Sequence, residues 1–305
     1  MHNSDHATAN QDLDEVNLKE IFYALKQSKL LIVCGITAFT LVGIAYSLWL
    51  PKIWTSSALL TVSESSNSSF SSSSSMGGLA SLASLGGMSN GKSQKGSKAI
   101  AIVQSREFFD HLLSFDEVLA NLMAFKSFNF EENITKYEAS YDSEKKSWIT
   151  SKPPNWLAYK IYKKTLAIDF DNKTGFVTMS VSHQSPVFAK SFLELIIREL
   201  NLLSRNRALD QSQASLEYLY EELSSSQLSD VKIAISQLIE TQLKTQMLAR
   251  VKIDYSLESI DRPYFPNERS SPQRKKITFF ASFLGLFLSI FFVLLKFFLQ
   301  KNLES

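Results

Sequence analysis

A single cysteine, Cys34, in 305 residues excludes a disulfide framework and any cysteine-based metal site. Histidine is nearly as scarce. His2, His6, His111 and His183 stand far apart, with no ligand-like spacing, so each reads as an ordinary surface or packing residue and no metal is expected. Excess charge of one sign is also missing: 32 basic against 30 acidic residues leave a net +2, and the basic residues are scattered rather than striped. That balance argues against a nucleic-acid binder. Glycine and proline vanish altogether from Val187 to Arg262, while three prolines crowd into Pro263-Tyr-Phe-Pro266-Asn-Glu-Arg-Ser-Ser271-Pro272. Each proline lacks an N–H, fixes φ and pushes its predecessor toward extended geometry, so this segment is a stiff, extended connector.

What the chain has is two long apolar runs. The connector leads through Gln273-Arg-Lys-Lys276 into Ile277–Leu299, where fourteen Leu, Ile, Phe and Val residues fall between Ile277 and Leu295. Roughly 20 such residues at 1.5 Å each cross the hydrocarbon core, and Lys296 can snorkel to the interface. The other run, Leu30–Leu50, carries no charged residue and is stopped by Pro51. A cleaved signal peptide does not fit it: the run is too long, begins too far in and lacks a small-residue cleavage site. Two spans therefore bracket a polar segment of roughly 220 residues, a single-domain length. Lys19, Lys26 and Lys29 precede the first span and only Lys52 follows it closely, so the N-terminus is expected in the cytoplasm. Arg274, Lys275 and Lys276 then fall on the outer side, which a long translocated loop tolerates.

The expected organisation is a cytoplasmic segment (1–29), a first transmembrane helix (30–50), a periplasmic domain (51–276), a second transmembrane helix (277–299) and a cytoplasmic tail (300–305). Leu18, Ile21, Phe22 and Leu25 in Val16–Lys29 have the spacing of an amphipathic helix on the inner membrane face. Ile53–Val62 reads as a strand. Residues 63–98 are Ser/Gly-rich and read as a flexible loop, with a short helix allowed at the Leu/Ala repeat. Gly86-Gly-Met-Ser-Asn-Gly91-Lys92-Ser93 satisfies the phosphate-loop formula GxxxxGK[ST]. That chemistry needs a buried strand before the loop, and Leu-Ala-Ser-Leu is no such strand. The match reads as a coincidence, and no nucleotide is expected.

Lys98–Lys126 predicts one or two helices with Ile102, Phe109, Leu112, Leu113 and Leu119 as core candidates; Phe128–Lys152 is polar and turn-like. Pro153-Pro154-Asn155 opens a helix running to Leu166, with Trp156, Tyr159, Ile161 and Tyr162 as apolar contacts. Leu166–Phe170 and Phe176–Ser182, joined at Asp171–Gly175, give a hairpin signal with Val177, Met179 and Val181 on one face. Ser185-Pro186 is a helix start. Residues 186–262 then carry apolar positions at three- and four-residue steps, as long helices reversing near Ser224–Asp230, where Ser229 or Asp230 can cap a new helix. The expected fold class is α+β: two transmembrane helices around a small mixed α/β base with a long helical hairpin. Its apolar stripes suit lateral association of identical copies.

Pro263-x-x-Pro266-x-x-x-x-Ser271-Pro272, followed by basic residues and a span, resembles the signature of the bacterial polysaccharide chain-length determinants, or polysaccharide co-polymerases. Asp14-Glu-Val-Asn-Leu-Lys-Glu20, Pro51-Lys-Ile-Trp-Thr-Ser-Ser-Ala58, and Gly175-Phe-Val-Thr-Met-Ser-Val with Ser185-Pro186-Val-Phe-Ala-Lys are similar to further family features in the same order. The resemblance implies an inner-membrane homo-oligomer, a periplasmic ring or bell, with no catalytic residues and no cofactor. It would set the length of a polymer that a membrane polysaccharide polymerase makes from lipid-linked glycan. The few residues after Leu299 leave no room for the tyrosine-kinase domain of some relatives, so the O-antigen type of lipopolysaccharide regulator is the closer resemblance. Pro263, Pro266, Ser271 and Pro272 are then expected to set the angle between domain and span, and Gly35, Gly43 and Gly285 to let helices approach closely. An export adaptor acting on finished polymer is the alternative; a two-span sensor would need an output domain for which neither tail has length.

Overall fold

The computed structural model describes residues 26–63, 91–132 and 134–304. In chain order these form α1 (Lys29–Trp49), β1 (Trp54–Val62), α2 (Gly91–Val103), α3 (Arg106–Leu112), α4 (Asp116–Met123), β2 (Phe125–Asn129), β3 (Ile134–Tyr137), β4 (Tyr141–Asp142), β5 (Ser147–Trp148), α5 (Asn155–Thr165), β6 (Leu166–Phe170), β7 (Phe176–His183), α6 (Pro186–Ser225), α7 (Ser229–Val251), β8 (Leu257–Asp261) and α8 (Arg274–Glu304). The fold is of the expected α+β class, and among the described residues two helices are long and apolar enough to cross a membrane. Contacts divide it into a mixed unit, 52–270, and a helical unit made of 1–51 with 271–305.

The mixed unit is built on an antiparallel sheet in the order β6-β7-β1-β8. β1 alternates strictly, burying Trp54, Ser56, Ala58, Leu60 and Val62. Opposite it, Val177, Met179 and Val181 of β7 are fully buried, as a period of two demands. The β6–β7 turn closes on Gly175, whose φ of 75° suits glycine. Asp171 holds that turn by accepting from the Lys173 N–H and the Thr174 hydroxyl, both at 2.8 Å. The Lys173 bond and then the Thr174 bond hold its carboxyl below the usual carboxylate range.

Ser185 caps α6 by accepting from the Phe188 N–H at 3.3 Å, with Pro186 opening the helix. Phe188, Ala189, Phe192, Leu193, Ile196, Ile197 and Leu200 then recur at helical spacing and are buried in the core beside the sheet. Tyr162 of α5 fills the same core: its ring stacks on Phe109 at 4.9 Å and its hydroxyl donates to the Val103 carbonyl at 2.8 Å. Burial pushes that phenol above its ordinary range. Further out, Leu216 of α6 meets Ile235 and Ile239 of α7, flanked by Leu219 and Leu223, to give the helical hairpin its own seam.

Several boundaries differ from the sequence reading. Residues 64–90, with the Leu/Ala repeat and the first part of the phosphate-loop match, lie outside the described residues, as do most of Val16–Lys29 and the histidines His2 and His6. Residues 91–98, expected as loop, begin α2. Composition misleads here because Ala99 and Val103 anchor the helix in the core, and Gly96 is small for a packing reason: a Cβ there would lie 2.7 Å from the Phe170 ring. Lys98–Lys126 makes three helices rather than one or two, with α3 started by Ser105 accepting from the Phe108 N–H at 3.1 Å. The turn-like 128–152 stretch takes part in two small hairpins, β2–β3 and β4–β5.

The reversal expected near 224–230 falls at 226–228. Its cap is Leu228, without a side-chain bond, and not Ser229 or Asp230, which are already helical. The helical stretch expected to reach 262 ends at Val251, and Leu257–Asp261 forms β8 beside β1. Pairing with β1 decides that local choice, since Leu257-Glu-Ser-Ile-Asp261 has no strong preference of its own.

Candidate functional site

The connector starts where β8 ends. β8 pairs with Leu59–Val62 of β1, and from Arg262 to Ser270 the chain is in neither helix nor strand. Prolines at 263 and 266 cannot extend a ladder of N–H donors. Separate side-chain and backbone hydrogen bonds take over instead. The Ser56 hydroxyl donates to the Tyr264 carbonyl at 2.8 Å, and the Ser270 N–H donates to the Ile53 carbonyl at 2.9 Å. Thr55 Oγ1 bonds both Ser270 Oγ and Ser182 Oγ at 2.8 Å. Pro263 and Pro266 are buried, while Tyr264 and Phe265 are exposed. The structure therefore brings Pro263 and Pro266 into the mixed unit, whereas Ser271 (half-buried) and Pro272 (buried) belong to the helical one.

Behind the connector, Asn201 fixes the start of β8, a contact that sequence periodicity did not reveal. It is buried on α6, accepts from the Ser256 and Leu257 N–H groups at 2.8 and 2.9 Å, and donates to the Leu257 carbonyl at 2.8 Å. Two residues earlier, the buried Glu199 carboxylate takes His111 Nε2 at 3.0 Å and Arg198 Nε at 3.1 Å, tying α3 to α6. His111 is thus a packing residue with a partner, in keeping with the ordinary role expected of it.

His183 closes β7. Its Nδ1 accepts from the Ser185 N–H at 3.0 Å, so the ring is neutral with its proton on Nε2, which donates to the Asn121 carbonyl at 3.1 Å. Burial pushes this imidazole down to about 4 from 6.5. Below pH 6.5 the unfolded chain takes a proton that the folded one refuses, so stability is full above that pH and falls as the pH drops toward 4. The loss expected across the window is about 3 kcal/mol. Urea unfolding at pH 7 and pH 4.5 checks it: His183→Gln should flatten the slope relative to the parent, and equal slopes would refute the assignment.

In the helical unit, α1 and α8 pack along a run of small residues. A Cβ added at Gly35 would overlap Ser289 Oγ, one at Gly43 would overlap the Ala281 Cβ, and one at Gly285 would lie 2.7 Å from the Phe39 Cβ. Rising positions on α1 (35, 39, 43) meet falling positions on α8 (289, 285, 281), so the pair is antiparallel with a four-residue repeat. The outward faces are apolar: Leu41, Val42, Phe279, Phe283, Phe287 and Phe291 are exposed, as lipid-facing side chains are and core side chains are not. Cys34 also lies exposed on α1. Among the described residues no group of three or more His, Cys, Asp or Glu side chains could hold a metal ion.

The mixed unit lies in sequence between two helices long and apolar enough to cross a membrane, an arrangement that fits a two-pass membrane protein. Residues 14–114 match the family model for the chain length determinant protein, Wzz, which is about a third of the chain. The match agrees with the resemblance read from the sequence and covers its N-terminal features, Asp14–Glu20 and Pro51–Ala58. No curated protein matches the chain individually. Among solved structures, it is similar to a full-length bacterial polysaccharide co-polymerase (14% identity, 93% of this chain and 99% of that one, TM-score 0.37). It is likewise similar to a fragment of WzzB, a polysaccharide co-polymerase from Salmonella Typhimurium (14% identity, 72% and 100%, TM-score 0.29).

Proposed function

We propose that this protein sets the length distribution of a surface polysaccharide, the O-antigen of lipopolysaccharide or a related polymer. It acts without catalysis, as a homo-oligomeric scaffold for a membrane polymerase that extends lipid-linked glycan. The observation that carries this reading is the match of residues 14–114 to the chain-length determinants. In this reading both termini lie in the cytoplasm and residues 51–276 lie in the periplasm of a two-pass inner-membrane protein, spanning at 30–50 and 277–299. The oligomer is supported by Leu243, Met247 and Val251, which recur every four residues on α7 and are left exposed. Pro263, Pro266, Ser271 and Pro272 set the course of the chain between domain and span. Gly35, Gly43 and Gly285 serve the packing of the two spans.

The test is a gel profile of surface glycan from cells with and without the protein. Deletion should collapse a narrow cluster of lengths into a random, short-biased ladder. Pro266→Ala, which frees φ at a buried position beside β1, should broaden the cluster without reducing the amount of protein. Glycan trapped inside the cell on deletion would instead mark an export adaptor, and an unchanged ladder would refute length control.

A further inference from the structure

An open cleft of about 650 Å³ lies between α3 and α5, lined by Arg106, Phe109, Asp110, Asn155, Trp156, Tyr159 and the lysines 160, 163 and 164. Helical spacing explains the lining. Positions 156, 160, 163 and 164 recur on one face of α5, the side turned away from the buried Ala158 and Tyr162. Trp156, expected from the sequence as an apolar contact, is 67% exposed. An indole left open in a concave site is an unspent stacking surface. Next to it the Tyr159 ring has the Arg106 guanidinium at 5.7 Å and the Lys163 ammonium at 5.9 Å from its centroid. Asn155 Nδ2 donates to Asp110 Oδ1 at 3.1 Å, placing a hydroxyl-matching donor and acceptor at the rim.

We infer that this cleft binds an acidic saccharide. A pyranose ring lays its C–H face on Trp156, its hydroxyls meet Asp110 and Asn155, and its carboxylate or phosphoryl group is taken by Arg106, Lys160, Lys163 and Lys164. The charge balance selects the ligand class: four cations face the one carboxylate of Asp110, and among the described residues none of the four is in an ion pair. A bilayer surface would need a projecting apolar patch rather than a hollow. The inference rests on the chain-length reading for the source of the ligand, which is then the polymer itself. The cleft would be where the scaffold touches what it measures.

The test is calorimetric titration of the full chain in detergent with tetragalacturonate, maltotetraose, inorganic pyrophosphate and glycerophosphoglycerol. Tetragalacturonate should bind about tenfold or more tightly than neutral maltotetraose, and Trp156→Ala or Lys160→Gln with Lys163→Gln should each weaken it by about tenfold, or ~1.4 kcal/mol. Trp156→Tyr keeps an aromatic face and should retain binding, which separates stacking from a misfolded helix. Equal affinity for maltotetraose, indifference to Trp156→Ala with pyrophosphate binding as well, binding of glycerophosphoglycerol in place of the saccharide, or no saccharide binding at all would each overturn it. If deletion changes polymer length yet tetragalacturonate does not bind, the cleft assignment alone falls. If binding holds and deletion leaves length unchanged, the chain-length reading alone falls.

Discussion

Asn201→Leu is expected to destabilise the mixed unit by about 3 kcal/mol, because the buried Leu257 N–H and carbonyl and the half-buried Ser256 N–H lose their partner at once. Leucine keeps the branching and heavy-atom count of asparagine, but its two methyl groups are bulkier, so some overpacking adds to the lost hydrogen bonding. Each orphaned buried group costs about 1–3 kcal/mol, and the extra apolar burial offsets only part of that. For a unit of this size the midpoint of thermal unfolding should fall by about 10 °C. The damage should also be local. Ser256 and Leu257 are the residues through which the returning chain enters β8, so their amides should exchange with solvent much faster than those of β1 and β7. Asn201→Asp keeps the acceptor but buries a charge and loses the donor to Leu257, and should be no better. An unchanged midpoint would mean that the ladder with β1 alone holds the strand.

That one asparagine also shows where sequence reading stops. The hairpin β6–β7, the Ser185-Pro186 helix start and the division of the long helical region were legible because each is a local pattern: alternation, a capping pair, or loss of helix preference at Ser224-Ser-Ser-Gln227. β8 was not legible. Leu257–Asp261 becomes a strand only because β1 presents an edge and Asn201, more than fifty residues earlier, holds its first amides. The start of α2 was hidden for the same reason, since Gly96 looks like a loop residue until the Phe170 ring is set against it. The connector lies between these cases. Its stiffness follows from the prolines, but its path along β1, held by Ser56, Thr55 and Ser270 side chains, is a tertiary fact. Trp156 fails in the opposite direction: the sequence marked it as an apolar contact, and only the fold shows it 67% exposed.

Gly43→Leu should separate α1 from α8, and it is the substitution expected to disturb the helical unit most. A Cβ at Gly43 already overlaps the Ala281 Cβ, and the nearest remaining atoms are backbone, Ala281 Cα and the Ile277 carbonyl oxygen, both 3.9 Å away. No side-chain rotation relieves that overlap, so the helices must move apart and forfeit the contacts at Gly35–Ser289 and Gly285–Phe39 that share the seam. Gly35 is more forgiving, because the atom it meets is the Ser289 hydroxyl, the free end of a side chain. In lipid no hydrophobic drive pulls two apolar helices together; close packing does, so its loss is felt in full. Overpacking of this kind costs about 1–3 kcal/mol when relaxation is possible, and Leu should lie at or above the top of that range. The mechanism is testable by exchange. Gly43→Ala alone should lower the thermal midpoint of the detergent-solubilised chain, Ala281→Gly alone should do so mildly, and the double variant should recover, since one Cβ has merely changed helices. Additive losses would mean that these two positions do not face each other in the membrane. If the seam also matters to the proposed length control, Gly43→Leu should broaden the glycan ladder and the Gly43/Ala281 exchange should restore it.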